Sequence, residues 1–181
     1  MKPPSQCKPV ESPEFWKQRI DDVASQGKMT HQIIYDEQYD IWVRSQMEST
    51  KVIRKYVREG QSILDAGCGH GGLCPCLDDA GLVGKVSYLG VDISPDLLSI
   101  AIDRYPWARF EVQNLRSLPY PNEAFDWVIC RSVESMIVGN VGREAWKEML
   151  QEMIRVGKGL IIMEYETPTN PFRVRVYPHG E

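Results

Sequence analysis

Residues 65–72 read Asp65, Ala66, Gly67, Cys68, Gly69, His70, Gly71 and Gly72, directly after the apolar run Ile63 and Leu64. Glycine tolerates left-handed backbone and lets a chain turn sharply against a neighbour or ligand. Glycines packed this densely between an apolar run and a helical pattern mark the first strand-to-helix turn of an α/β unit, where doubly wound folds bind nucleotides. That placement commits the rest of the chain to alternating strands and helices.

The remaining sequence keeps to this pattern. Residues 62–66, 86–91, 109–112, 125–130 and 159–164 read as five short strands, and residues 73–80 and 143–156 as helices between them. Ser94, Pro95 and Asp96 supply a capping hydroxyl, a proline at the first helical position and an acid near the positive dipole end. Leu97, Leu98, Ala101, Ile102 and Tyr105 are then expected to form that helix's buried stripe. Before the glycine loop, residues 1–12 carry proline among polar residues and read as a flexible lead. A helix over 13–25 and a longer one over 36–59 follow, the latter with Tyr39, Trp42, Val43, Met47, Ile53, Tyr56 and Val57 on its apolar side and Gly60 as its cap. The expectation is one α/β domain with a doubly wound, mostly parallel sheet. Residues 1–59 form its N-terminal lead and helical arm, and residues 60–181 its ligand-binding core.

Two carboxylates qualify the loop. Asp92 ends the second strand about 20 residues past the glycines, where an acid can accept hydrogen bonds from ribose hydroxyls. Because Ser94 caps the following helix, Asp92 is expected to be free for a ligand. Gly67, Gly69 and Gly72 also satisfy the dinucleotide spacing, so the loop alone leaves a nicotinamide-dependent oxidoreductase open. Asp65, two residues before the first glycine, argues otherwise. A carboxylate there repels a pyrophosphate and suits a positively charged ligand end.

The run 63–72, the Gly90, Val91, Asp92 strand end, residues 113–120 and the later Phe125, Asp126, Trp127, Val128 occur in order. Together they resemble the class I S-adenosylmethionine (SAM)-dependent methyltransferases over roughly residues 30–166. The resemblance implies the Rossmann-like methyltransferase fold, with SAM as cofactor and S-adenosylhomocysteine as product. It implies that Asp65 and the backbone of Gly67, Cys68, Gly69 and Gly71 line the methionine portion and that Asp92 holds the ribose. Ile93 would pack on the adenine, Asn114 would accept from the adenine amino group, and the Leu115 amide would face the ring. Arg131 and Ser132 would border the sulfonium. Asn114 departs from the aspartate often found at its position, but its side-chain oxygen can still accept. Asp126 would fix a strand start. Trp16, Arg19, Tyr35 and Tyr39 of the arm would either close over the cofactor or pack an added helical layer.

The acceptor is not legible. Methyl transfer from a sulfonium needs orientation and exclusion of water, and a base only where the acceptor must lose a proton. His31, Glu134 and Tyr39 are candidates for that base, and none is assigned. A net charge of −4 and a pI near 5.5 give no footprint for nucleic acid, so a small-molecule substrate is expected. With no apolar run long enough to span a membrane, no signal segment and five cysteines without framework spacing, a cytoplasmic protein is expected. Cys68, His70, Cys74 and Cys76 lack a distant second ligand pair, so no metal is expected. Family members commonly add two strands after the fifth, whereas residues 172–177 supply one at most. This shortened C-terminal part moves substrate selection to the arm and to residues 131–142, and it leaves either a minimal version or a truncated chain. It also keeps open a non-catalytic SAM-binding module or partner subunit. An open sheet edge at 160–165 would invite a homodimer.

Overall fold

The computed structural model describes residues 12–26, 39–164 and 172–178. Helices α1 (Pro13–Ser25) and α2 (Tyr39–Tyr56) precede a six-stranded sheet. Its elements are β1 (Ser62–Ala66), α3 (Cys74–Asp79), β2 (Ser87–Asp92), α4 (Pro95–Arg104), β3 (Arg109–Val112), β4 (Phe125–Arg131), α5 (Glu134–Asn140), α6 (Arg143–Val156), β5 (Gly157–Glu164) and β6 (Arg173–Tyr177). The strand order is β3-β2-β1-β4-β5-β6, with β6 antiparallel to β5 and every other pairing parallel. This is the mixed α/β, Rossmann-like sheet expected. The order reverses between β1 and β4, and doubly wound sheets open a ligand crevice at the carboxyl ends of such strands.

Central parallel strands are buried on both faces and therefore read as nearly continuous apolar runs. On one face Ile63, Tyr88, Trp127, Ile129, Ile161 and Met163 pack against Ile53 of α2, Val57 just beyond it, and Cys74, Cys76 and Leu77 of α3. On the other, Leu64, Ala66, Val91, Val128, Cys130, Leu160 and Ile162 meet Leu97 of α4, Ile137 of α5, Trp16 of α1 and Trp146, Met149 and Met153 of α6.

Local signals act as expected at several places. The Ser94 hydroxyl accepts from the Leu97 amide at 3.2 Å and caps α4. Asp126 fixes the start of β4 by accepting from the Ser62 amide at 2.9 Å and from Lys158 at 2.8 Å. Those donors hold its carboxyl near pKa 2, well down from the usual carboxylate value.

Three expectations are corrected. Met47 is 58% exposed and Ile102 52%; beside the expected Ile53, the described buried side of α2 is Ser45, Gln46, Ser49 and Thr50. Two of its hydroxyls are satisfied within the helix, Ser49 donating to the Ser45 carbonyl at 2.8 Å and Thr50 to that of Gln46 at 3.0 Å. Helix α2 ends at Tyr56, and Gly60 lies beyond it in a turn with φ +82°. The segment 131–142, expected to take part in substrate selection, contains α5. The edge at 160–165 is not open, because β6 pairs with β5 from Leu160 to Glu164. Dimerisation through that edge thus loses its basis, and the sheet's outer strands are β3 and β6. Among the described residues no helix is long and apolar enough to cross a membrane.

Candidate cofactor cleft

A cleft of about 940 Å³, including its open mouth, lies over the carboxyl ends of β1, β2 and β4. Of the predicted site residues it gathers Asp65, Gly67, Cys68, Gly69, Asp92, Ile93, Asn114, Leu115, Arg131 and Ser132. Gly71 is the exception. It sits against the Tyr105 ring, where a Cβ would come within 2.7 Å at φ +83°, so this glycine serves packing rather than the cleft wall.

Asp65 is 1% exposed at the end of β1. Its Oδ2 accepts from the Tyr88 hydroxyl at 2.8 Å. Burial drives its pKa up to about 6, with Tyr88 and the Arg131 charge pulling it down and Asp92 adding repulsion. Asp92 is not free, contrary to expectation: Oδ2 accepts from the Gly69 amide and Oδ1 from the Ser94 amide, both at 2.9 Å. It therefore ties the glycine loop to the strand end, while each oxygen keeps a second lone pair for a ligand. Burial raises its pKa and these amides oppose the rise.

The loop's own amides decide the ligand's charge. Gly67 and Cys68 both donate to the Val91 carbonyl, at 2.8 and 3.0 Å, and Gly71 donates to that of Cys68 at 3.0 Å. With Gly69 held by Asp92, these four N–H groups are unavailable to cradle a pyrophosphate. Two buried carboxylates with consumed amides suit a cationic ligand with ribose hydroxyls and oppose a dinucleotide.

The comparisons agree with this geometry. The model of the methyltransferase domain family matches residues 63–159. The chain belongs to the class I SAM-dependent methyltransferases. A demethylmenaquinone methyltransferase from Symbiobacterium thermophilum is 29% identical over 132 residues, 70% of this chain. This chain spans about half, 49%, of that relative's length. A solved protein from Pyrococcus horikoshii superposes with TM-score 0.57 at 26% identity, covering 71% of this chain and 59% of that one. A TehB-like SAM-dependent methyltransferase from Corynebacterium glutamicum shares the fold with TM-score 0.54 at 19% identity, over 93% of this chain and 98% of that one.

Trp16, expected from the sequence either to close over the cofactor or to pack a helical layer, lines the methyltransferase cleft, whereas the rest of its wall was not legible. His70, Gln113, Leu73 and Leu97 line it near the loop, and Trp16, Val133, Met136, Ile137 and Met149 form an apolar wall. His70, buried within the loop, could have been found from its position between Gly69 and Gly71. The apolar wall comes from three helices and carries no contiguous motif. Ser132 adopts φ +56°, a conformation non-glycine residues rarely take, while donating to the Met163 carbonyl at 2.8 Å. Asn114 Oδ1 accepts from the Arg116 amide at 2.9 Å, which shapes the 114–117 turn and leaves one lone pair. Glu134, a candidate base, pairs with Arg175 in a separate recess with Glu164 and Arg173, outside the cleft. His31 and Tyr35 lie outside the described residues, as does the side chain of Tyr39.

Proposed function

We propose that this chain binds SAM in the cleft and transfers its methyl group to a small organic acceptor with an apolar body. The pair of buried carboxylates at the ends of β1 and β2, opening into a cleft with a broad apolar wall, carries the reading. The donor set fits the cofactor: Asp65 would take the ammonium of the methionine portion and Asp92 the ribose hydroxyls. Ile93 and Leu115 would flank the adenine, and Asn114 would accept from its amino group. SAM supplies a methyl group on a positively charged sulfur. The chain's residues contribute orientation and exclusion of water, which is what an in-line displacement requires.

The apolar wall of Trp16, Val133, Met136, Ile137 and Met149 supports an acceptor with apolar surface, and the Symbiobacterium relative's name, demethylmenaquinone methyltransferase, points the same way. No side chain in the described cleft is assigned as general base.

Isothermal titration with SAM and with NAD tests the cofactor. SAM binding without NAD binding is expected, and the reverse would sink the reading. Turnover of labelled SAM across a panel of quinol, phenol and amine acceptors tests the activity. Tight SAM binding with no turnover on any of them would favour a non-catalytic binding module. Asp92→Ala should weaken SAM by about 1–3 kcal/mol through lost hydrogen bonds.

A further inference from the structure

The one strongly basic residue lining the cleft among the described residues is held in place by an apparatus that its position at the end of β4 does not require. Asp65 pairs in register with Ile129. Arg131, two residues further along β4, therefore lies on the same face of the sheet as Asp65, one step nearer the cleft mouth. Its Nη1 donates to the Gly72 carbonyl at 2.8 Å and to Gln46 Oε1 at 3.2 Å, and lies 3.2 Å from Cys76 Sγ. Gln46 Nε2 donates to the same Gly72 carbonyl at 3.1 Å, and the Cys76 thiol donates to Gln46 Oε1 at 2.7 Å. Gln46 and Arg131 are only 8% and 9% exposed. The carbonyl that closes the glycine loop thus receives donors from helix α2 and strand β4.

We propose that Arg131 is a positioning residue: it clamps the glycine loop through the Gly72 carbonyl, and its buried positive charge is the counter-charge of Asp65. The proposal rests on Asp65 holding the cofactor's ammonium. A buried carboxylate drifts toward its neutral form, which cannot hold an ammonium, unless a nearby cation opposes the drift. The groups facing Asp65 are Tyr88 and Asp92 from β2, Cys68 and His70 from the loop, Cys74 from α3 and Arg131 from β4. Burial pushes the thiols of Cys68 and Cys74 up, Cys74 to about 12, so both stay neutral near pH 7. Tyr88 is likewise pushed up and stays protonated. Asp92 and His70 are common to every variant below, so differences among them report on Arg131.

The test is titration of the full chain with S-adenosylhomocysteine between about pH 5 and 8.5, a range that spans the Asp65 titration. The wild type should lose affinity as pH falls through about 6, where Asp65 takes a proton. Arg131→Gln keeps an amide donor for Gly72 but removes the charge. Its midpoint should rise by on the order of one pH unit, with several-fold weaker binding at neutrality. Arg131→Lys keeps the charge and loses the forked geometry, so its midpoint should stay near wild type while affinity drops at every pH. A folded Arg131→Gln protein with the wild-type midpoint, or a Lys variant displaced as far as the Gln variant, overturns the proposal. If Arg131→Gln gives no cooperative melt, the likewise uncharged Arg131→Met is measured in its place, with the same midpoint shift expected and an unshifted midpoint overturning the proposal. Asp65→Asn separates the two layers. Wild-type affinity in Asp65→Asn removes the ammonium reading and this inference with it. Lost binding in Asp65→Asn beside an unchanged Arg131→Gln removes the inference alone.

Discussion

The two faces of the sheet reach the cleft differently. The face under α2 and α3 brings two hydrogen-bonded groups to the cleft, Asp65 with Tyr88 and Arg131 with Gln46 and Cys76. The face under α4, α5 and α6 brings Leu97, Val133, Met136, Ile137 and Met149 to the same opening, with Leu115 beside them. One face concentrates charge in a dry setting, where each polar group must be matched. The other offers surface that any apolar body can lie against. Cofactor grip and acceptor tolerance can thus reside on opposite sides of one sheet, and changes to one should leave the other largely intact.

The largest break in this division should come at Asp92. Asp92→Ala strips partners from the buried amides of Gly69 and Ser94. Unpaired buried donors cost about 1–3 kcal/mol each, offset in part by removing a desolvated charge. Urea denaturation at pH 7 should register a loss on the order of 3 kcal/mol. A loss below about half a kcal/mol, typical of an unremarkable surface change, would mean that these amides find water.

Asp65 should act in the opposite sense. Its pKa is raised from 3.8 to about 6 in the fold, so the folded state binds the proton more tightly than the unfolded chain. Its effect on stability is therefore unfavourable once ionised: stability falls as pH rises from about 4 to about 6 and is level above. Asp65→Asn removes this slope and should be more stable than wild type by about 3 kcal/mol at pH 8, with no such gain at pH 4. Melting curves at the two pH values check it, and an equal difference at both would contradict the burial argument. The same variant should lose cofactor affinity, so stability and binding would move apart.

A smaller effect is expected on the apolar face. Met136 is half-buried in the cleft wall. Met136→Ser should raise acceptor KM several-fold, about 1 kcal/mol of lost apolar contact, while SAM affinity holds within about twofold. A parallel loss of SAM affinity would show that the faces are not independent.

How far the sequence led follows from which interactions have a period. The strands, the glycine turn, the Ser94 cap and the role of Asp126 depend on residue type at short spacing, and each was readable. Near the loop, Asp65, Gly67, Cys68 and Gly69 line the cleft as expected, whereas Gly71 does not and His70 and Leu73 were missed. Helix α5 was not: Glu134–Asn140 is short, its Val133 cap makes no side-chain bond, and it contains a glycine. The clamp on Gly72 was also hidden, because Gln46 and Arg131 lie 26 and 59 residues from it in sequence.

Helix α2 shows how periodicity misleads. Counting apolar residues put Met47 on the buried side, yet Ser45, Gln46, Ser49 and Thr50 occupy that side, two of the hydroxyls bonded within the helix. A helix turned toward a polar network spends its inward positions on hydrogen bonding and leaves apolar residues in solvent. On α4 the stripe drifted instead at one position, Ile102, while Leu97, Leu98 and Ala101 stayed buried. The smallest effects should therefore fall where the pattern looked most telling. Met47→Lys and Ile102→Glu should each change stability by less than about 0.5 kcal/mol and leave SAM affinity unaltered. Gln46→Leu, one residue from Met47, should cost about 1–2 kcal/mol through the unsatisfied Arg131 and Cys76 groups it leaves. If Met47→Lys proves as costly as Gln46→Leu, the helix faces the sheet with its apolar side after all.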